Sequence, residues 1–166
     1  MAFYGSKWMY IWTTEDGFVK AFHQLRIRDE FVQDNYSYTQ KSGTIRGMHY
    51  QEEPYAQSKL FRCITGAVYD VVVDLRPDSP TYRKWKGYQL RGDRFEWLYI
   101  PPGFAHGFQS IQDNCLVQYK VNQYFSPEHD RGIRWSDKQI NIAWPISNPI
   151  LSDKDRFAPL WNDIKG

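Results

Sequence analysis

The residues best suited to chemistry in this sequence are two histidines, a tyrosine and a late pair of acids. His49 lies in an apolar, strand-like stretch, and His106 follows a proline-rich turn. Tyr119 stands in another apolar stretch, and Asp153 and Asp155 lie near the C-terminus. An imidazole base, a carboxylate that orients it and a phenol together form a proton-transfer set. A lone histidine on a half-buried strand is more often a hydrogen-bonded core residue, so the prediction of function depends on this combination.

The turn before His106 has the pattern Pro-x-Gly-x-x-His over residues 101–106, between two predicted strands. It resembles the second motif of cupins, in which the histidine points into a small jelly-roll barrel. Metal-binding cupins also carry a first motif with two histidines one residue apart and a nearby glutamate. Here only His49 is present, and two histidines make a poor transition-metal site unless a glutamate of residues 52–53 reaches in from the loop. The sequence therefore predicts no bound metal and no cofactor.

Strand periodicity assigns the cationic side chains to different faces. Alternation places Arg46 on the face opposite His49, and it separates Lys59 from Arg62 in the same way. Lys59 and Arg62 could both be solvated edge charges. In the functional interpretation, Lys59 lies beside His49, where its charge stabilises an oxyanion and eases enolate formation. Arg46 would then contact another part of a ligand, such as a phosphate.

Tyr119 shares its strand face with apolar neighbours, so its phenol is expected to point into the interior. The neighbours on that face are Cys115, Val117 and Val121. A core tyrosine bonded to backbone would satisfy this pattern, and a phenol beside a histidine can also donate a proton.

Composition excludes several classes of protein. At 166 residues the chain is long enough for one well-filled domain and short for two, so we expect a single domain over residues 1–166. A net charge of +2 argues against a nucleic-acid partner or an anionic membrane surface. No apolar run approaches the roughly 20 residues that span a bilayer, and no signal-peptide core is evident. Cys63 and Cys115 lie within strand patterns and are expected to be buried and unpaired. We therefore expect a cytoplasmic location.

The pattern of β-forming residues indicates an all-β chain. Residues 7–12 and 18–22 are predicted as strands joined by a turn at 15–17. Further strands are predicted at residues 31–35, 43–51, 59–65, 67–75, 82–90, 95–100, 107–111 and 115–123. Ser126 could cap one helical turn, and prolines keep the C-terminal segment irregular. Many short strands at regular spacing predict a sandwich or barrel in one domain.

Together the motifs resemble those of dTDP-4-dehydrorhamnose 3,5-epimerases. The resemblance runs in order from about residue 31 to residue 160. It is carried by the segments at residues 44–51, 71–76, 100–108, 132–137, 142–145 and 149–155. Agreement over so many ordered segments is not expected by coincidence.

The resemblance implies a set of roles by position. His49 would be the general base, oriented by Asp155 rather than by Asp153, and Tyr119 would be the opposing proton donor. The other implied contacts are with the substrate: Lys59 and His106 at the sugar, Arg46 near the diphosphate, and Gln33 and Asn35 at the nucleotide base. Gln51 and Lys154 would also bind the substrate, and no particular part of it is assigned to them. It also implies a cupin jelly roll, a metal-free reaction and a homodimer with exchanged N-terminal strands.

The N-terminal segment departs from the family pattern. Family members usually have Asp-Glu-Arg-Gly-Phe-Phe-x-Glu, where the arginine and glutamate reach the substrate. Asp16 stands in place of the arginine and Ala21 in place of the glutamate. Because a carboxylate cannot replace an arginine at a diphosphate, specificity for dTDP is less secure than the catalytic set.

Several alternatives follow from these observations. The enzyme could invert only C3 or only C5, or use a different nucleotide-sugar. A metal-dependent cupin oxygenase would bind Fe, Mn or Ni at His49 and His106. A non-catalytic sugar-binding module would keep the barrel, but it would have no need of His49, Asp155 and Tyr119 together.

Overall fold

The first sheet is built from strands rich in aromatic and β-branched residues. The computed structural model describes residues 10–13 and 26–164. Within them, the sheet has five antiparallel strands in the order β1-β7-β4-β9-β2. These strands are β1 (Tyr10–Thr13), β2 (Gln33–Thr39), β4 (Lys59–Thr65), β7 (Glu96–Ile100) and β9 (Cys115–Val121).

The second sheet faces the first. Its main path runs β10-β3-β8-β5-β6, and the short strand β11 pairs with β3 in parallel. Its strands are β3 (Thr44–Gln51), β5 (Ala67–Asp74), β6 (Trp85–Arg91), β8 (Phe104–Ser110), β10 (Asp130–Gly132) and β11 (Ile150–Leu151). Two facing antiparallel sheets form a cupin-like sandwich, as the sequence predicted.

One apolar cluster packs between the sheets. Its members come from strands of both sheets and are buried: Phe61, Cys63, Val68, Val72, Leu90, Leu98, Ile100, Phe104, Phe108, Cys115 and Val117. Both cysteines are free and buried, as expected. The cluster occupies one part of the interior, and the rest remains open as a pocket lined by polar side chains.

A second cluster covers the outer face of the second sheet. It joins Met48, Val71 and Ala105 to Ile133, Ile140 and Trp161 of the C-terminal segment. Because the C-terminal segment covers this face, β5 is buried on both sides, which accounts for its nearly continuous apolar sequence. The segment ends in two short helices, α1 (Asp153–Arg156) and α2 (Trp161–Ile164).

Most observed strands differ from the predicted ones at their ends. β2 runs Gln33–Thr39 rather than over residues 31–35, and the short strands β10 and β11 were not predicted. β6 begins at Trp85 rather than residue 82, because Asp74 holds the preceding loop through Arg76, Ser79 and Thr81. β8 begins at Phe104, so His106 lies inside a strand and not at its start. Around Ser126 there is only a turn, closed by the His129 N–H donating to the Ser126 carbonyl.

The predicted N-terminal hairpin is only partly described. β1 spans Tyr10–Thr13, whereas residues 7–12 were predicted. The predicted strand at residues 18–22, and Asp16 and Ala21, lie outside the described residues. No helix in the described residues is long and apolar enough to span a membrane.

Candidate active site

Two adjoining chambers open between the sheets. The first, which we call the dyad chamber, has a volume of about 290 Å³. It is lined by Ser37, Arg46, His49, Lys59, Phe61, His106, Phe108, Tyr119, Ser152, Lys154 and Asp155. The second, the amide chamber, has a volume of about 380 Å³ and is lined in part by Gln33, Asn35, Gln51 and Gln57. His49, Lys59, Tyr119 and Lys154 line both, so all the sequence-predicted site residues border one continuous region.

His49 and Asp155 form a hydrogen-bonded pair. His49 Nε2 lies 2.7 Å from Asp155 Oδ1, and Asp155 is only 3% exposed. Asp153 is exposed, so of the two candidate acids it is Asp155 that contacts His49. Since an ionised carboxylate only accepts hydrogen bonds, the neutral imidazole carries its proton on Nε2 and leaves Nδ1 as the basic nitrogen.

The start of helix α1 fixes the position of Asp155. Ser152 is the N-cap residue, and its hydroxyl accepts a hydrogen bond from the Asp155 N–H at 3.2 Å. The same hydroxyl donates to Asp155 Oδ2 at 2.7 Å. Burial would raise the pKa of Asp155, but the hydrogen bonds from His49 and Ser152 hold it below its ordinary value. The carboxylate therefore stays ionised and can stabilise an imidazolium.

His106 belongs to a second histidine–aspartate pair. It lies directly opposite His49 in the register between β3 and β8. Its Nε2 is 2.7 Å from Oδ2 of Asp70, a residue of β5 that is fully buried. Phe61 packs edge-on against the His106 ring, with centroids 5.0 Å apart. Burial lowers the pKa of His106, which favours the neutral ring despite the nearby carboxylate.

Lys59 is the least exposed of the three lysine and arginine side chains that line the dyad chamber, the others being Arg46 and Lys154. It begins β4, and it lines both chambers. Burial lowers its pKa to about 8, although the charges of Asp130 and Asp70 oppose this effect. Arg62 instead contacts Gln118 and the Trp97 ring, on the face away from the chambers, as strand alternation predicts.

Tyr119 faces the histidines from the other sheet. It belongs to β9 in the first sheet, whereas His49 belongs to β3 in the second. Its ring stacks on Phe61, with centroids 6.3 Å apart. Burial raises the pKa of the phenol, so it stays protonated and can act as a proton donor. A ligand between the sheets would thus have the imidazole on one side and the phenol on the other.

Arg46 also lines the dyad chamber, which corrects the strand-face prediction. Simple alternation separates Arg46 from His49, but the pairing of β3 with β8 shifts register between these two residues. Gly47 lies within this irregularity, with φ of +131° and with Gly107 backbone so close that a side chain would clash. The bulge reverses the alternation, as an extra residue in a strand does. Arg46 Nε is tethered to Thr39 Oγ1 at 3.2 Å.

The predicted nucleotide-contacting residues line the amide chamber. Gln33 donates to Asn35 Oδ1 at 2.7 Å. Gln51 is largely occupied by backbone contacts: its amide donates to the Tyr55 carbonyl, and its oxygen accepts from the Ser126 N–H, both at 2.7 Å. It therefore holds together the two loops beside the chamber.

Sequence reasoning missed three residues of the site, which are Asp130, Asp70 and Ser152. Asp130 belongs to β10 and forms an ion pair with the predicted Lys154, and no sequence pattern had indicated it. Asp70 stands within the apolar run of β5, and a charged residue in such a strand is an available signal for a buried functional group. Ser152 lies three residues before Asp155, the spacing of a helix-capping pair.

The site and the fold together define the class of protein. Two sheets enclose a histidine–aspartate pair, a lysine and a phenol, which is the arrangement of a cupin-type acid–base enzyme. Within residues 10–13 and 26–164, no three histidine, cysteine or acidic side chains are grouped to hold a metal ion. The model of the dTDP-4-dehydrorhamnose 3,5-epimerase family matches residues 13–163. The chain belongs to this family, whose members are isomerases.

Individual relatives agree with this assignment. A dTDP-4-dehydrorhamnose 3,5-epimerase from Shigella flexneri is 51% identical over 144 residues, covering 83% of this chain and 79% of the relative. A dTDP-6-deoxy-D-glucose-3,5-epimerase from Legionella pneumophila, solved with dTDP-4-keto-L-rhamnose, is 39% identical with a TM-score of 0.82, covering 97% of this chain and 85% of that one. ChmJ, a 3'-monoepimerase from Streptomyces bikiniensis solved with dTDP-quinovose, is 28% identical with a TM-score of 0.81, covering 92% and 83%.

Proposed function

We propose that this protein inverts C3 and C5 of a dTDP-linked 4-keto-6-deoxyhexose, in the synthesis of a rhamnose-type deoxysugar. The observation that carries the proposal is the placement of His49 with Asp155 on one wall of the pocket and Tyr119 on the other. Family membership and the ligands named for the Legionella and Streptomyces relatives support this substrate class.

The first half of the reaction is proton removal. The C4 ketone acidifies the hydrogens at C3 and C5, so His49 Nδ1 can remove one of them and leave an enolate. Asp155 accepts the Nε2–H and stabilises the imidazolium that forms. The Lys59 ammonium, held in a partly desolvated site, would stabilise the enolate oxygen.

The second half is proton return from the opposite face. The protonated Tyr119 phenol gives its proton to the carbon that His49 deprotonated, and the configuration inverts. His49 is then protonated and Tyr119 ionised, so a proton must move from the imidazolium to the phenolate, directly or through water, before the next inversion. The raised pKa of Tyr119 favours its reprotonation.

The remaining contacts would hold the substrate. We assign Arg46 to the diphosphate, since a guanidinium suits phosphate oxygens and Arg46 is exposed at the edge of the dyad chamber. Gln33 and Asn35 in the amide chamber are assigned to the nucleotide base. Lys154 and Gln51 border the same chamber, and His106 would contact the sugar.

We also propose a domain organisation, a cellular location and an oligomeric state for the enzyme. Residues 1–166 would form one cupin domain that acts in the cytoplasm as a homodimer, with N-terminal strands exchanged across the two-fold axis. β1 is a four-residue edge strand paired only with β7 among the described strands, and strands of another copy could extend this edge.

A second candidate is inversion at one centre only. ChmJ has the same fold and is named a 3'-monoepimerase, so the fold does not decide how many centres are inverted. A metal-dependent oxygenase is less favoured, because both histidines bond a carboxylate through Nε2 and no third metal-ligating side chain joins them in the described part of the chain.

One experiment tests the reaction and counts the centres. The protein is incubated with dTDP-4-keto-6-deoxyglucose in deuterated water, and the product is examined by NMR. Deuterium and inversion at both C3 and C5 are expected, whereas labelling at one carbon alone supports the monoepimerase alternative. Absence of both exchange and inversion would refute the proposed function.

A further inference from the structure

The His106 ring is held by a carboxylate to which the proposed reaction assigns no role. Asp70 is fully buried in β5, and its Oδ2 is 2.7 Å from His106 Nε2. Its other oxygen, Oδ1, is buried and has no hydrogen-bond partner within the described residues. A buried carboxylate with an unsatisfied oxygen is unfavourable for folding, so its presence beside the chamber points to a role in the site.

We propose that Asp70 is a positioning residue with two effects on the pocket. It fixes the tautomer of His106, so that Nδ1 accepts a hydrogen bond from a substrate hydroxyl, and together with Asp130 it is a counter-charge of the Lys59 ammonium. The choice of a sugar hydroxyl as the ligand rests on the proposed function, whereas the tautomer and the charge pairing do not.

The tautomer follows from the contact itself. The hydrogen bond from His106 and the charge of Lys59 favour the ionised form of Asp70 against the effect of burial. An ionised carboxylate has no proton to donate, so the neutral His106 ring beside it carries its proton on Nε2. Nδ1 then has a free lone pair, and no described residue hydrogen-bonds it while the ring lines the dyad chamber. Burial favours the neutral ring. A neutral acceptor recognises a hydroxyl donor and repels an oxyanion, so His106 and Lys59 would contact different oxygens of the substrate.

The two histidine–aspartate pairs differ in the surroundings of their carboxylates. Both oxygens of Asp155 accept hydrogen bonds, from His49 and from the Ser152 hydroxyl, and its pKa lies below the ordinary value. Asp70 has a single hydrogen-bond partner, and burial raises its pKa. The first pair therefore suits a base that must become an imidazolium, and the second suits a histidine that stays neutral.

The counter-charge role follows from the groups that surround Lys59. The charged and titratable groups around Lys59 are Asp130 of β10, Lys154 of α1, Asp70, Arg46, His49, His106, Tyr119 and Asp155. Lys59 lines the dyad chamber with His106, to which Asp70 is hydrogen-bonded. The charge of Asp130 favours the Lys59 ammonium most, but Asp130 is also paired with Lys154, whose own charge disfavours that ammonium. Asp70 forms no ion pair with a lysine or arginine in the described structure, so its charge remains available to Lys59.

The first test is the tautomer in the unaltered protein. Histidine side chains are labelled with ¹⁵N, and the resonances of His106 are assigned by their loss in His106→Asn. We expect a protonated Nε2 and an unprotonated Nδ1 at neutral pH. A proton on Nδ1, or a cationic ring, would overturn the proposal. This readout is independent of turnover, so it stands even if the proposed substrate is not epimerised.

The second test is the variant Asp70→Asn, with Tyr69→Phe as a matched control on the same strand. The amide can donate to Nε2, so we expect a changed or mixed His106 tautomer. Loss of one neutral hydrogen bond would lower kcat/KM about 3- to 10-fold. The basic limb of the kcat/KM profile should also move to lower pH, because Lys59 loses its counter-charge. The control should leave the tautomer and the limb unchanged.

A purely structural role would give a different result. Lower stability with an unchanged tautomer and an unchanged basic limb would refute the positioning role. The same substitution is then made in the His106→Asn variant. There, Asp70→Asn should still move the basic limb of the kcat/KM profile to lower pH, but it should lower kcat/KM at neutral pH by little more than His106→Asn alone. An undiminished loss would show that Asp70 does not act through His106.

Discussion

Replacement of Tyr119 by phenylalanine should separate proton removal from inversion. The ring would keep its stacking on Phe61, and no described group hydrogen-bonds the hydroxyl, so its loss leaves no buried partner unsatisfied. Stability should therefore change by no more than about 0.5 kcal/mol. Removal of a general acid costs about 10²–10⁴-fold, which corresponds to roughly 2.7–5.4 kcal/mol in the barrier to inversion.

The assay compares exchange with inversion in substrate recovered from deuterated water. In Tyr119→Phe, His49 and Lys59 remain, so the enolate still forms and is reprotonated mostly on the face that it left. Deuterium should enter C3 or C5 while inversion falls. In His49→Ala both should disappear, and Asp155→Asn should show a weaker version of that loss. Equal loss of exchange and inversion in Tyr119→Phe, or exchange at the parent rate in His49→Ala, would refute the assignment of the two faces.

Four further predictions follow from the structure. In the proposed reaction the Lys59 ammonium stabilises the enolate, and burial lowers its pKa to about 8, so kcat/KM should fall as the pH rises through that value. Lys59→Arg should shift this fall to higher pH, and an unshifted fall would assign it to another group. Asp74→Ala should lower the free energy of unfolding by about 2–3 kcal/mol in urea titrations, since Arg76, Ser79 and Thr81 lose their shared acceptor. The hydrogen bonds to Asp74 hold its pKa below the ordinary value, although burial opposes them. This stabilisation is therefore present above the pKa that Asp74 has in the unfolded chain, and it should be lost in strong acid. Equal stability of the parent and Asp74→Ala at neutral pH would contradict this prediction. Chelation should leave turnover unchanged, and activity lost to a chelator and restored by one divalent ion would favour a metal-dependent reaction. Light scattering at micromolar concentration should give the mass of a dimer, and a monomer mass would count against strand exchange.

Local sequence was enough for most of the strand pattern and for several residues that the structure places around one pocket. β4 was predicted at its observed bounds, because β-forming residues lie there between a loop and Gly66. The predicted pocket residues do border one region. Strand alternation correctly directed Tyr119 inward and separated Lys59 from Arg62, whereas Gln33, Asn35, Gln51 and Lys154 had been assigned by the family resemblance. The preference for Asp155 over Asp153 came from the family resemblance, and the structure explains it by the cap that Ser152 makes at α1.

Three features could not be obtained from local sequence. Arg46 shares a chamber with His49 because the β3–β8 pairing shifts, and a register shift depends on the partner strand as well as on the strand itself. Asp130 reaches the site only because β10 pairs with β3. The start of β6 depends on the hydrogen bonds of Asp74, which gather side chains that follow it in a loop.

The sequence by itself determined the all-β character, the buried cysteines and the presence of a base, an acid and a phenol. These follow from residue type and periodicity, which act over a few neighbouring positions. Only the tertiary structure decided which wall of the pocket each group occupies and that His106 has a carboxylate partner in Asp70. The His106–Asp70 contact joins residues 36 positions apart, and the His49–Asp155 contact joins residues 106 positions apart. Such contacts depend on strand pairing and on packing between the sheets rather than on local pattern.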